Sequence, residues 1–207
     1  ELYIDAVLGN EESAKYVTGI AFHGYENDGF DDFSGGLEYV TENYGKDVYI
    51  TEITEYSASI DFASNISYSL QNVVINPLNY GLKAGTYWNF VLTSDGQPVL
   101  GNTAECYGVI NLDLESDGWH YSKNASYYAM AHVSKFVYDI DGKDAVRLGT
   151  ESSNTNIIAT SFYRADGAVV VIVHNISDVS YEAVDVVIGD RQFTYEIQPQ
   201  SVVTFVC

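Results

Sequence analysis

Positive charge is scarce in this chain. Nine Lys and Arg stand against 29 Asp and Glu, a formal charge of -20, which opposes nonspecific binding to nucleic acid or to an anionic membrane surface. No run of five like charges occurs, so the acidity reads as a solvated surface rather than an acidic tail. Only two cysteines are present, Cys106 and Cys207. They are too few for a disulfide framework; either they form one bridge or both are plain thiols. No apolar stretch reaches the roughly 20 residues that a membrane helix needs. No signal peptide opens the sequence, which starts "ELYIDAVLGN" without Met and reads as the downstream piece of something longer.

Several chemistries are missing as well. "FSGGLEY" lacks both the spacing and the lysine of a phosphate-binding loop. The four histidines, His23, His120, His132 and His174, are scattered with no HExxH, two distant cysteines make no zinc site, and no GxSxG elbow occurs. No metal, cofactor or serine nucleophile is therefore expected.

What remains is a globular chain. With 207 residues and 46% apolar composition it is long enough for one large domain or two small ones around a buried core. Tyrosine is frequent, at 18 residues; its flat apolar face and polar tip suit sugars, although most will be packing residues. Three sequons, at Asn65, Asn124 and Asn175, bear on the chain only in a eukaryotic secretory setting.

Along the chain, "VTGIAFHGY" (17–25) reads as a buried strand that delivers polar groups at its end. Leu37–Tyr44 reads as a helix closed by Gly45, and 48–51 as a second strand that ends at Glu52. From Asp61 the residues Phe62, Ile66, Leu70, Val73 and Val74 recur at helical spacing, which predicts a helix stopped before Pro77. A third strand, roughly 84–92, carries Trp88. This strand–helix rhythm, three times over, is that of a parallel α/β arrangement. "YGVINLDLESDGWHY" then reads as a strand and a turn, and 125–137 as a helix with Ala129, Val133, Phe136 and Val137 on one face. From Asp144 the pattern is all β: 157–163 and 168–173 flank "RADG", 183–188 and 192–197 flank "GDR", and 201–206 supplies a last strand. The expected domains are 1–139 and 140–207, parting within "DIDG".

Three predicted strand ends deliver His23 and Tyr25, then Glu52, then Trp88 and Asn89. In parallel α/β barrels the carboxyl ends of the strands carry the active site. A carboxylate to attack or assist, a Tyr or His to hold it, and a Trp face for the ring are the residue types of a sugar site. Each also has an ordinary reading: Glu52 as a rim carboxylate, His23 as a hydrogen-bonded core histidine, Trp88 as core. Glu55, three residues beyond Glu52, reads as solvated or structural.

Taken together, "KYVTGIAFHGY", "VYITE", "AGTYWNFVL" followed by "DGQP", and "SYYAMAHVSKFV" resemble, in order and spacing, the C-terminal half of glycoside hydrolase family 30, the glucosylceramidase and endo-β-1,6-glucanase family. The resemblance covers nearly the whole chain. It implies the last three βα units of a (β/α)8 barrel, strands six to eight, followed by a β-sandwich side domain. It also implies a retaining β-glycosidase, without cofactor, acting on a β-linked carbohydrate or glycolipid. Glu52 is then similar to the family nucleophile, His23 and Tyr25 look like the substrate- and nucleophile-contacting residues, and Trp88 looks like the aromatic beside the glycone. The chain departs from the family pattern at Gly24, where many members carry an aromatic, and at "GQP", where GGP is frequent.

The family's acid/base glutamate sits in an Asn-Glu-Pro type motif, and the chain has none; in "GNEE" Glu11 leads into a helix. A barrel needs about eight strands to close. The N-terminal half of the same barrel, as a separate chain or a missing segment, is thus an expected partner, with no nucleic acid and no integral membrane segment. An extracellular, periplasmic or lysosomal setting is expected. Two other readings stay open: a noncatalytic carbohydrate-binding or structural β-rich module, and another retaining barrel glycosidase of the same clan.

Overall fold

A computed structural model describes residues 2–25, 33–54, 61–98, 106–138 and 144–207. The first part of the chain runs α1 (Leu2–Leu8), α2 (Glu11–Ala14), β1 (Gly19–His23), α3 (Phe33–Tyr44) and β2 (Asp47–Glu52). It continues with α4 (Phe62–Ser69), a π-helical segment (Leu70–Ile75), α5 (Asn76–Asn79) and β3 (Leu82–Gly85). The three strands form one parallel sheet in the order β1-β2-β3. Its middle strand is the most protected, with Val48 and Ile50 at 0% and 1% exposure, as expected for a strand with helices to cover. Among the described residues no strand pairs with the outer edge of β1 or of β3.

Local chemistry accounts for most boundaries. Asn10 caps α2 by accepting from the Glu12 amide at 2.9 Å, so the Glu11 pair belongs to a helix start. Gly45 closes α3 at φ +59°, a conformation that favours glycine. Asp61 caps α4, accepting from the Ser64 amide at 2.8 Å. At α1 the Asp5 carboxylate accepts the hydroxyls of Tyr39 and Tyr44 of α3 at 2.6 and 2.5 Å. Those two bonds, Tyr39 first, hold Asp5 below the usual carboxylate range.

Two sequence expectations fail here. The helix from Asp61 does not stop before Pro77; it widens into the π-helical segment and continues through Pro77 to Asn79. A proline inside a helix lacks its amide donor and strikes the carbonyl four residues back. The wider ladder of a π turn takes that carbonyl out of register, and Pro77 falls in the first turn of α5, where no donor is required. The strand expected at 84–92 is two strands in different sheets. β3 ends at Gly85, and β4 (Val91–Leu92) pairs with β5 (Ile110–Glu115), which pairs in turn with β6 (Gly118–Lys123). The single strand and turn read at 107–121 is therefore a complete hairpin.

A helix, α6 (Ala125–Ser134), leads to the second part, and the expected parting at "DIDG" lies outside the described residues. There β7 (Val146–Leu148), β8 (Ile157–Tyr163), β9 (Val169–Asn175), β10 (Tyr181–Ile188), β11 (Arg191–Ile197) and β12 (Val202–Val206) follow. One sheet has the order β12-β9-β8-β7 and the other is the hairpin β10-β11. Side chains on β9 alternate between two dry faces. Val171 and Val173 pack with Ile157, Val186 and Ile197 between the sheets, while Val170 and Ile172 join Leu70, Val73, Val74 and Ala129 of the helices. Hydrogen bonds follow the same seam: Ser67 Oγ to His174 Nε2 at 2.9 Å, His132 Nδ1 to Thr204 Oγ1 at 2.7 Å, and Asn79 Nδ2 to the Ala159 carbonyl at 2.9 Å. Cys106 and Cys207 are both free thiols, and no helix among the described residues is long and apolar enough to cross a membrane.

Candidate active site

The parallel sheet brings together what the sequence separates. At the carboxyl ends of β1 and β2 the register slips between Phe22 and His23, so that His23 stands opposite Glu52. The Tyr25 hydroxyl, 27 residues away in the chain, donates to Glu52 Oε1 at 3.1 Å. His23 Nδ1 lies 3.8 Å from the same oxygen, and the His23 and Tyr25 rings meet edge to face at 6.1 Å. The Glu52 side chain is 29% exposed and that of His23 is 48% exposed. His23 is thus a rim residue, not the core histidine of its ordinary reading.

The third strand arrives through its backbone. The Trp88 amide donates to the Ile53 carbonyl at 2.8 Å, one residue past Glu52, and the Trp88 residue stays 52% exposed. This is not a core tryptophan. The Trp88–Asn89 peptide bond is cis. Thr86, which the sequence reading passed over, fastens β3 to the end of β2: its hydroxyl donates to the Thr51 carbonyl at 2.8 Å and its amide to the Ile50 carbonyl at 2.9 Å. A threonine just after a strand carries no signal that would mark it from sequence. Glu55 lies outside the described residues.

Two other features stand apart from this carboxylate. A cleft of about 530 Å³ opens between β3 and α6, lined by residues that include Thr86, Tyr87, Tyr127 and Met130, but not by His23, Tyr25 or Glu52. At the tip of the β5–β6 hairpin, ligand atoms of Glu115, Asp117 and His120 lie within 4.8 Å of one another; all three are exposed, and exposed acidic groups of this kind are common without an ion.

A parallel α/β sheet with a tyrosine-bound glutamate at its carboxyl end is thus joined through helices to an antiparallel β region, an α/β-plus-β architecture. The chain belongs to glycosyl hydrolase family 30. Residues 2–137 match the family 30 TIM-barrel domain and residues 144–205 the family 30 beta sandwich domain. Among curated proteins it is similar to putative glucosylceramidase 2 of Caenorhabditis elegans, 28% identical over 212 residues, covering 98% of this chain and 39% of that protein. It is also similar to the lysosomal acid glucosylceramidase of Mus musculus, 27% identical over 185 residues, covering 84% and 33%. The chain thus spans about two fifths or less of the length of these relatives. Among solved structures, the endo-beta1,6-glucanase BT3312 superposes with a TM-score of 0.83 at 23% identity over 100% of this chain and 44% of that one. SrfJ from Salmonella typhimurium does so with 0.84 at 22%, over 99% and 44%. At such identities these two likenesses bear on the fold alone.

Proposed function

We propose that this chain is the nucleophile-bearing part of a retaining β-glycosidase. Residues 1–139 would be the last three βα units of a (β/α)8 barrel and 140–207 its β-sandwich side domain. The three-stranded sheet, whose outer edges pair with no strand among the described residues, and the spans of the two family matches support that division. The remaining strands and an acid/base glutamate would come from the N-terminal half of the same barrel.

The observation that carries the proposal is the Tyr25 hydroxyl on the Glu52 carboxylate, at 3.1 Å. A donor aimed at one carboxylate oxygen from the neighbouring strand end fixes the orientation of the group, as an attacking nucleophile requires. In a retaining enzyme the two carboxyl groups stand about 5–5.5 Å apart. Glu52 attacks the anomeric carbon as the bond to the leaving oxygen breaks, and the partner acid gives that oxygen its proton. Water, deprotonated by the same partner, then displaces Glu52 and releases the sugar with its configuration retained. Tyr25 orients the attacking oxygen, His23 stands at the rim beside it, and Trp88 offers a face to the sugar ring.

The names of the relatives, glucosylceramidases, support a β-glucoside or glycolipid as substrate, and the lysosomal one supports a lysosomal or extracellular setting. The test is mass mapping of the full-length protein after a 2-deoxy-2-fluoro-β-glucoside inactivator. We expect one covalent sugar, on the peptide that carries Glu52. A label on another carboxylate would overturn the nucleophile assignment.

A further inference from the structure

Between His23 and Tyr25, the two side chains that face Glu52, stands Gly24. Its backbone is buried, and its amide donates to the Glu52 carbonyl at 2.8 Å. Conformation does not demand glycine here, for Gly24 is not among the glycines with positive φ. Space does. A Cβ at this position would lie 2.6 Å from Cδ1 of Ile53, 3.2 Å from its Cγ1 and 3.3 Å from its Cβ. The first of these is a separation that Cβ atoms essentially never show.

Ile53 has little room to give. It is fully buried, at 0% exposure, and its carbonyl is held by the Trp88 amide from the third strand. One residue after the candidate nucleophile therefore fills the space that a side chain at 24 would need, while its backbone anchors the tryptophan. We infer that Gly24 and Ile53 are a size-matched positioning pair, which sets where the Tyr25 hydroxyl meets Glu52. The inference rests on the reading of Glu52 as nucleophile.

The margin at the site is narrow. Most hydroxyl-to-oxygen hydrogen bonds are about 2.5–3.0 Å long, so at 3.1 Å the Tyr25 bond is already at the long end. Any group at 24 pushes the end of β1, with His23 and Tyr25, outward, or pushes Ile53 and the Trp88 backbone with it. Either movement takes the hydroxyl past its useful reach.

The test compares Gly24→Ala, Ile53→Val and the double variant in the full-length protein. Valine lacks the Cδ1 atom that makes the closest contact. Gly24→Ala should slow both turnover and covalent labelling of Glu52 by about 10- to 100-fold, the scale expected when a reacting group is displaced by about an ångström. Its crystal structure should show Tyr25 Oη moved beyond about 3.5 Å from Glu52. In that background Tyr25→Phe should cost little more, because the contact is already lost. The double variant should recover to within about threefold of Ile53→Val alone, with the contact restored.

Wild-type rates and distance in folded Gly24→Ala would overturn the inference, as would a double variant no better than Gly24→Ala. If Gly24→Ala alone does not fold, a folded and active double variant still supports the pair, and one that also fails to fold overturns it. Should wild-type protein label elsewhere than Glu52, the nucleophile reading falls, while the crystallographic distances still decide whether the pair sets the contact.

Discussion

The parallel sheet and the four-stranded antiparallel sheet are protected in opposite ways. In the parallel sheet only the middle strand β2 has neighbours on both sides, and the outer edges of β1 and β3 lack partners among the described residues. In the β12-β9-β8-β7 sheet the protection is by faces: Val171 and Val173 meet the β10-β11 hairpin, and Val170 and Ile172 meet the helices. The candidate chemistry therefore sits on the sheet whose outer edges are open among the described residues. Full burial occurs in both, with Val48 at 0% in β2 and Val170 and Ile172 at 0% in β9.

Experiments can press on that contrast from either side. The largest effect is expected at Glu52. Glu52→Gln in the full-length protein should lower turnover by at least about 10³-fold, as removal of a nucleophile does, while leaving the melting temperature near that of the wild type. A variant retaining a tenth of the activity would sink the assignment. In the closed region, Ile172→Ala should cost about 2–5 kcal/mol of stability, since a fully buried Ile on a strand covered on both faces leaves a cavity. Urea unfolding measures this directly, and a cost near zero would mean that the seam between sheet and helices is not packed as described.

Next in size comes Tyr25→Phe. Hydrogen bonds to charged groups are worth about 1.5–3 kcal/mol, so kcat should fall about 10- to 100-fold, with the loss in the step that forms the glycosyl-enzyme. Equal rates with substrates of good and poor leaving groups would argue against it.

A smaller, graded effect is expected from pH. His174 is fully buried, with Nδ1 donating to the Ser201 carbonyl at 3.0 Å and Nε2 accepting from the Ser67 hydroxyl at 2.9 Å. Burial holds its pKa below the ordinary 6.5, and His132 nearby is lowered by burial and then by His174. Both histidines are kept neutral in the folded state. The unfolded chain takes up protons first, so the stability they contribute is complete above pH 6.5 and is lost as pH falls from there through the lowered folded values. His174→Gln should flatten that part of a melting-temperature profile, and an unchanged slope would exclude His174 as its source. Smallest of all, Val187→Ala on the exposed face of β10, where the residue is 63% exposed, should change stability by no more than about 0.5 kcal/mol.

Much of this contrast was legible from sequence, and the exceptions have physical causes. Strands β1 and β2 are short continuous apolar runs, and the hairpins at "RADG" and "GDR" announce themselves by their turn residues, so these elements fall close to expectation. Pro77 misled because a π-helical turn leaves no mark in apolar spacing. The strand at 84–92 misled because two short strands of different sheets have the same composition as one long one. Strand β6, "GWHYSK", is exposed along nearly its whole length and so lacks the alternation that would have revealed it. At the site, His23 stands opposite Glu52 and the Trp88 amide bonds the residue after it, while the roles read for them remain a proposal. The contact between Tyr25 and Glu52 was expected from the family resemblance and not from spacing, since it depends on the register slip at His23 and on how closely Gly24 lets the two strand ends approach.

The core that joins α4, α6 and the outer face of β8 and β9 has a thermodynamic consequence. Phe162, Val170 and Ile172 share one cluster with Leu37, Val48 and Ile50, far across the expected domain parting. Regions that share a core tend to lose it together, as one cooperative unit. A boundary that is plain in the sequence is then not a boundary in free energy, and calorimetry should record a single transition in which barrel segment and sandwich melt as one.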